Sequence, residues 1–373
     1  MRYTLLSFTL LGIACCVSAI STMRFFNVPV GHYNPLIRRF FDLRYFVNDE
    51  HYVKGGPIFI YVSGGVEIYE DFIEQGAMYE IAQETGGILF ALEHRYFGES
   101  RPTDDTATNN LAFLTIHQVV ADIGEFISFI KQNYFGAKNS KVVLFGKGYG
   151  GALAVWARHK FHHLVDGVWA SSAPINAVLE TREVMRNTAN TIRSIGGEEC
   201  SEIIEKAFRE MEDSIRFKDT SYLEKRFRLC KPIDIENADD VSRFFFGISS
   251  EIAYEFLLTA TYLQIEEKCA IMTTSPENLP ENSIDAFARW FIDDFNRNEE
   301  CLNYNNEDTL QMYQNVSWNS ASTLTGLRQG FWLECTQLGQ FASSGNGDGH
   351  PFGWRFDFEF FRRWCARVFD ENL

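Results

Sequence analysis

The chain is 373 residues long, 46% hydrophobic and 15% aromatic, enough for a large buried core and too long for one small module. A charged fraction of 23% and a mean hydropathy of −0.17 exclude a disordered chain. The net charge of −16 repels phosphate backbones and no basic patch offsets it, so nucleic acid is not an expected partner.

Residues 1–19 read as a secretory signal peptide. Arg2 supplies the n-region charge, Leu5 to Cys16 the apolar stretch, and Val17-Ser18-Ala19 the small-residue cleavage site. The apolar run is too short to span a bilayer and no other segment approaches that length, so no membrane attachment is expected. The expected address is extracellular or lysosomal. Cys15 and Cys16 leave with the signal, and Cys200, Cys230, Cys269, Cys301, Cys335 and Cys365 remain. An even number in an oxidising compartment points to disulfides, all in the second half of the chain, with every pairing open. None forms a C-x-x-C pair, so zinc is not expected. Asn315-Val316-Ser317 is a glycosylation sequon, consistent with secretion.

Four short apolar runs follow one another along residues 57–171. Pro57 to Ser63, Gly87 to Glu93 and Lys141 to Phe145 read as buried strands, and Gly167 to Ser171 as a weaker fourth. Val119 to Ile130 and Gly151 to Lys160 show helical spacing. Alternation of strand and helix with near-continuous apolar strands predicts a parallel sheet covered on both faces. From about 176 the pattern becomes helical. Ser201 to Phe217 sets Ile204, Phe208, Met211 and Ile215 on one face; Phe244 to Cys269 is long and aromatic; Ser283 to Phe295 carries another stripe. The tail from 340 shows no clear period.

Phe145-Gly146-Lys147-Gly148-Tyr149-Gly150-Gly151 follows an apolar strand and opens a helix, the setting of a G-x-S-x-G nucleophile elbow. Small residues suit such a turn because strand and helix approach closely. At the tip, where a serine hydroxyl would attack, stands Gly148. Glycine carries no nucleophile, and it visits positive φ without steric cost, so the turn can outlive its chemistry. A dinucleotide fold is not indicated, because its glycine-rich turn follows the first strand and this one follows the third.

Together Lys54 to Tyr61 (KGGPIFIY), Glu93 to Pro102 (EHRYFGESRP), the Gly146–Gly151 elbow and Leu164 to Pro174 (LVDGVWASSAP) resemble the prolylcarboxypeptidase and dipeptidyl-peptidase-II family of serine exopeptidases. Arg44 to Asn48 and the Cys335-Thr336 block fit as well, and the resemblance runs from about 25 to 373. It implies an α/β-hydrolase core with an inserted helical cap, a secretory or lysosomal address, and cleavage next to proline. The expected layout is signal peptide 1–19, N-terminal core 20–175, cap 176–340, and a segment 341–373 leading back toward the core, which is read as truncated at its C-terminal end. The family's elbow reads G-G-S-Y-G-G; here Lys147 and Gly148 take the second and third places. The family's later aspartate and histidine find no match before 373, and His350 does not fit the histidine motif. The family block Y-Q-x-C-T-E reads Trp332-Leu333-Glu334-Cys335-Thr336-Gln337, so a glutamine has become Leu333 and a glutamate Gln337. The resemblance leaves an oxyanion hole partly in place, from the amide of Tyr149 and that of Gly64 or Gly65.

Other candidates have plainer readings. Ser63, Ser100, Ser171 and Ser172 lie near strand ends without an elbow around them. His94 is expected to close a polar network at a strand end. His159 and His163 are spaced i, i+4 but lack the H-E-x-x-H glutamate, and Asn346-Gly347-Asp348-Gly349 lacks the acidic ligands of a calcium loop, so neither metal nor cofactor is expected. The aromatic run 352–361 reads as packing.

The reading is a secreted, catalytically inactive relative of these exopeptidases, with peptides or a protein partner in the former substrate cleft and a homodimer left open. An active serine carboxypeptidase or dipeptidyl peptidase represented by a partial or faulty sequence is one alternative. An interaction protein acting through its helical cap is the other.

Overall fold

The computed structural model describes residues 21–274 and 282–371, and the signal peptide assigned to 1–19 lies outside them. The chain divides into two compact units. One holds the described residues up to 28 together with 41–94 and 120–173; the other holds 29–40, 95–119 and everything from 174.

The first unit is a six-stranded sheet of β1 (Thr22–Pro29), β2 (Phe40–Asn48), β3 (Ile58–Val62), β4 (Ile88–Leu92), β5 (Val142–Lys147) and β6 (Gly167–Ser171), in the order β1-β2-β4-β3-β5-β6. β3 is central and parallel to both neighbours: Ile58 pairs Ile88 on one side and Val142 on the other. β5 and β6 continue in parallel, while β2 runs antiparallel to β4, with Tyr45 opposite Leu92. All five residues of β4 are buried, as strands covered on both faces require. The four strands read from the sequence are present, and the unit is an α/β-hydrolase core. Phe126 of the helix Ile116–Asn133 packs its ring 5.0 Å from Tyr45 and 5.7 Å from Phe90. Among the described residues β6 has a strand neighbour on one side only, and Trp169 upon it is 52% exposed.

β2 shows no apolar run in the sequence because Arg44 interrupts it. That guanidinium is buried against the fully buried Glu93, with Nη2 donating to Oε1 at 2.5 Å and Nε to both oxygens at 3.2 Å. Nη2 also donates to Glu67 at 2.9 Å, and the Ile68 amide donates to Glu93 at 3.3 Å. A buried pair persists only when its remaining lone pairs and protons are satisfied in this way.

The second unit is helical. Its main helices are Gly197–Arg216, Ala238–Ala253, Tyr262–Thr273, Ser283–Trp290, Leu327–Leu333 and Phe358–Val368. Phe208, Phe227, Phe244, Phe245, Phe287, Trp290 and Phe291 fill one aromatic core, to which Phe352, Phe356, Phe360 and Phe361 also belong. The aromatic run of the tail is therefore packing, as read. Three disulfides close this unit: Cys200–Cys269, Cys230–Cys301 and Cys335–Cys365. Gly196 is required beside the first, because a Cβ there would lie 2.1 Å from the Cys269 sulfur. The expected single stretch Phe244 to Cys269 is two helices. A capping box of Thr261 and Gln264 starts the second, each side chain meeting the other's backbone. The helix Phe358–Val368 was hidden in the tail. Asp357 caps it by accepting from the Phe360 amide, and Phe360, Phe361, Trp364, Cys365 and Val368 are buried along one stripe.

Replacing Arg44 by Met strands Glu93 as an uncompensated buried charge. The expected loss is about 3–5 kcal/mol in urea unfolding followed by tryptophan fluorescence. The double replacement Arg44→Met with Glu93→Leu should recover most of it, and an additive double mutant would refute the coupling. Serine at both Cys200 and Cys269 opens a loop spanning 69 residues, and at Cys335 and Cys365 one spanning 30. Chain entropy predicts losses of about 4 kcal/mol for each, the longer loop costing slightly more, measurable by denaturant titration.

Candidate active site

The elbow is built by backbone contact. β5 delivers Phe145, Gly146 and Lys147; the turn is Gly148; the helix Tyr149–Lys160 leaves from it. A Cβ on Gly146 would lie 2.5 Å from the Gly150 carbonyl carbon, one on Gly150 2.3 Å from the Val62 oxygen, and one on Gly64 2.5 Å from the Gly150 nitrogen. Strand, helix and the loop after β3 thus touch through bare backbone, which only glycine allows.

Gly148 itself has φ +54° and ψ −129°. Its amide donates to the Ser171 carbonyl at 2.9 Å, and its carbonyl accepts from Ala152 at 3.1 Å. A Cβ there would meet nothing within 4 Å. The glycine is therefore set by backbone conformation and not by crowding, and the space for a side chain is open. Lys147 beside it is exposed. Together with Tyr61, Phe72, Phe145 and Trp169 it lines a cavity of about 420 Å³ in the sheet unit.

The oxyanion candidates come together. The loop carrying Gly64 and Gly65 lies directly on the start of the elbow helix, with a Gly64 Cβ position 3.4 Å from the Tyr149 carbonyl carbon. Gly65 has φ +99°, which turns this loop toward the elbow. Tyr149 opens the helix, where amides lack intrahelical acceptors.

The sheet unit brings His94 to the elbow. His94 is buried, and its Nε2 is 3.3 Å from the Tyr149 hydroxyl, a phenol pushed up from its ordinary value by burial. His159, His162 and His163 are exposed at the far end of the elbow helix, roughly 17 Å along it by the helical rise. No metal-holding group of His, Cys, Asp or Glu occurs among the described residues. Ser63 is buried and donates to the Val66 carbonyl at 2.7 Å. Ser171 ends β6 and Ser172 follows it, both exposed, with Ser172 at φ +49°.

The other sequence candidates lie in the helical unit. Ser100 is buried, and its carbonyl accepts from the Tyr96 amide at 2.7 Å. Arg95 of the same block is fully buried and donates to the carbonyls of Val30, Phe113 and Pro29 at 2.8, 3.0 and 3.2 Å, so the block is structural. His350 is a strut: Nε2 contacts the Ser344 carbonyl at 3.0 Å, Nδ1 accepts from the Phe352 amide at 3.2 Å, and burial lowers its pKa. The Asn346–Gly349 segment closes as a turn, with the Gly347 amide on the Ser344 carbonyl. Asn315 is exposed, and its side-chain oxygen accepts from the Ser317 amide at 3.1 Å. Gln337 is exposed and Leu333 buried. Glu334, between Leu333 and Cys335, is exposed.

Known proteins resemble this chain over much of its length. Lysosomal Pro-X carboxypeptidase of Mus musculus is 28% identical over 92% of the chain and 71% of its own length. That of Bos taurus is 34% identical over 60% of the chain and 46% of its own length, and thymus-specific serine protease of Homo sapiens 27% identical over 84% and 62%. The chain thus spans between about half and two thirds of most of these relatives. A putative dipeptidyl aminopeptidase IV structure from Bacteroides ovatus matches 41% of the chain with a TM-score of 0.29 and 15% identity. The family model of serine carboxypeptidase S28 matches residues 29–373, and the chain belongs to that family of serine peptidases.

Proposed function

We propose that this chain is a secreted or lysosomal, non-catalytic member of the family that binds peptides without cleaving them. Gly148 carries the reading. It occupies the tip of a turn whose backbone is that of an elbow, and it offers no hydroxyl to attack a carbonyl. Acyl transfer further needs a base within hydrogen-bond reach of the nucleophile. His94, the histidine nearest the elbow in its unit, already faces the Tyr149 hydroxyl. The named activity of the Pro-X carboxypeptidases makes proline-containing peptides the first ligands to try. Secretion draws on the signal pattern at 1–19, the exposed sequon at Asn315 and the three disulfides. Among the described residues no helix is long and apolar enough to cross a membrane.

The deciding assay is hydrolysis of proline-containing peptides by the purified secreted protein from acidic to neutral pH, with products read by mass spectrometry. No turnover is expected. Turnover blocked by a serine-directed reagent would overturn the reading and favour the active alternative. Gly148→Ser should fold, because the space is open, at a cost of about 1–3 kcal/mol for a side chain on a backbone at φ +54° and ψ −129°. It should also stay inactive for want of a base. Activity in that variant would show that a base and its orienting group are already in place.

A further inference from the structure

The helical unit holds a cavity of about 490 Å³, within the range of small-ligand sites. The helix Gly197–Arg216 forms one side of it and the loop 346–354 another. That loop is set by its own bonds. The Ser344 amide donates to the Phe356 carbonyl at 2.9 Å and the Gly347 amide to the Ser344 carbonyl at 3.0 Å. His350, also in the wall, bridges Ser344 and Phe352. The wall is thus built before any ligand arrives, which lowers the entropic cost of binding.

Three kinds of group line the cavity. The first is charged, and every charge is already met within the chain. Arg209 pairs Glu205 at 2.6 Å, Arg193 pairs Glu198 at 3.2 Å, and Glu212 pairs Arg355 at 2.8 Å. The second is neutral and polar. Ser201 is only 5% exposed, yet among the described residues its hydroxyl has no hydrogen-bond partner. The side-chain amides of Asn190 and Asn346 have none either. The third is apolar: Phe208, 1% exposed, and Trp354, which stays 56% exposed although the Arg355 guanidinium lies 4.4 Å from its ring.

These groups select a ligand by elimination. A charged ligand would have to break an internal ion pair to find its counter-ion. A wholly apolar one would leave Ser201 and both asparagines without partners. What remains is a neutral molecule with many hydroxyls and an apolar face. We propose that this cavity binds a neutral pyranose, its C–H face against Trp354 and its hydroxyls on Asn190, Asn346 and Ser201. A primary amide both donates and accepts, as a sugar hydroxyl does, so the two match in either sense. A sugar is itself well hydrated, so the exposure of the asparagines and the indole suits it. The site lies wholly in the helical unit, goes beyond the peptide-binding reading and does not depend on it.

The test is calorimetric titration of the whole secreted chain at neutral pH with three probes: methyl α-mannopyranoside, methyl β-galactopyranoside and the methyl β-glycoside of N-acetylglucosamine. At least one should bind, with a dissociation constant on the order of 1 mM for a single ring. Trp354→Ala and Asn346→Ala should each weaken that probe about tenfold. Both side chains are exposed, so the variants should fold. Ser201→Ala removes a hydroxyl without an internal partner, so its melting temperature should match the wild type while affinity drops about fivefold. Failure of the folded wild type to bind any of the three at tens of millimolar overturns the site. Unchanged affinity in both Trp354→Ala and Asn346→Ala overturns it as well, by placing the sugar elsewhere. Tighter binding of inorganic phosphate or glucuronate, abolished by Arg209→Gln, would overturn the neutral class. Peptide turnover would sink the non-catalytic reading and leave this one standing.

Discussion

Backbone-to-backbone contact at the elbow is the constraint on which the sheet unit depends. Gly146, Gly150 and Gly64 come from a strand, a helix and a loop, and at each a single added carbon would fall within 2.5 Å of another segment's main chain. That contact fixes where the helix Tyr149–Lys160 starts and brings the Gly64–Gly65 loop against its first turn. None of it involves the side chain at 148. The side chain at 148 is thus mechanically separate from the turn that carries it. A glycine there keeps the architecture, so the fold is compatible with the non-catalytic reading proposed above.

The same unit accepts a buried charge pair to hold its antiparallel strand. Arg44 on β2 reaches Glu93 at the end of β4, and both are out of solvent. The pair offers little net stability over a hydrophobic equivalent, but it strongly disfavours any register in which either partner is left alone. Glu93 precedes His94, so the anchor of β2 and the polar contact with Tyr149 leave adjacent positions of one strand end. The strand ends are therefore crowded with structural polar groups, and burial of a histidine beside the elbow is no sign of catalysis.

How much was legible follows from the same physics. The central strands were readable because both their faces are covered, giving unbroken apolar runs such as Ile88–Leu92. β2 was not, since Arg44 interrupts its run and only the distant Glu93 explains it. In the tail, the buried stripe of Phe358–Val368 is only eleven residues long and follows an aromatic stretch, 352–356, with no period of its own. The cap at Asp357 and the outward Arg362, Arg363 and Arg367 reveal it only once the packing is known. Cysteine pairing was beyond reach, because separations of 69 and 71 for two bridges are decided by tertiary packing. The elbow was legible because its glycine spacing reflects local contacts, and Gly148 stood out against that frame.

Within the helical unit, buried charges are met by partners in the same chain. Arg243 is enclosed by the rings of Phe246, Tyr304 and Trp364, each between 5.6 and 5.8 Å away, and burial lowers its pKa. Glu251 accepts from the Tyr304 hydroxyl at 2.7 Å and from Asn296. Glu212 meets Arg355, and Asp240 accepts from the Asn306 amide and the Asn305 side chain. These groups serve the fold, and each has its partner inside the chain.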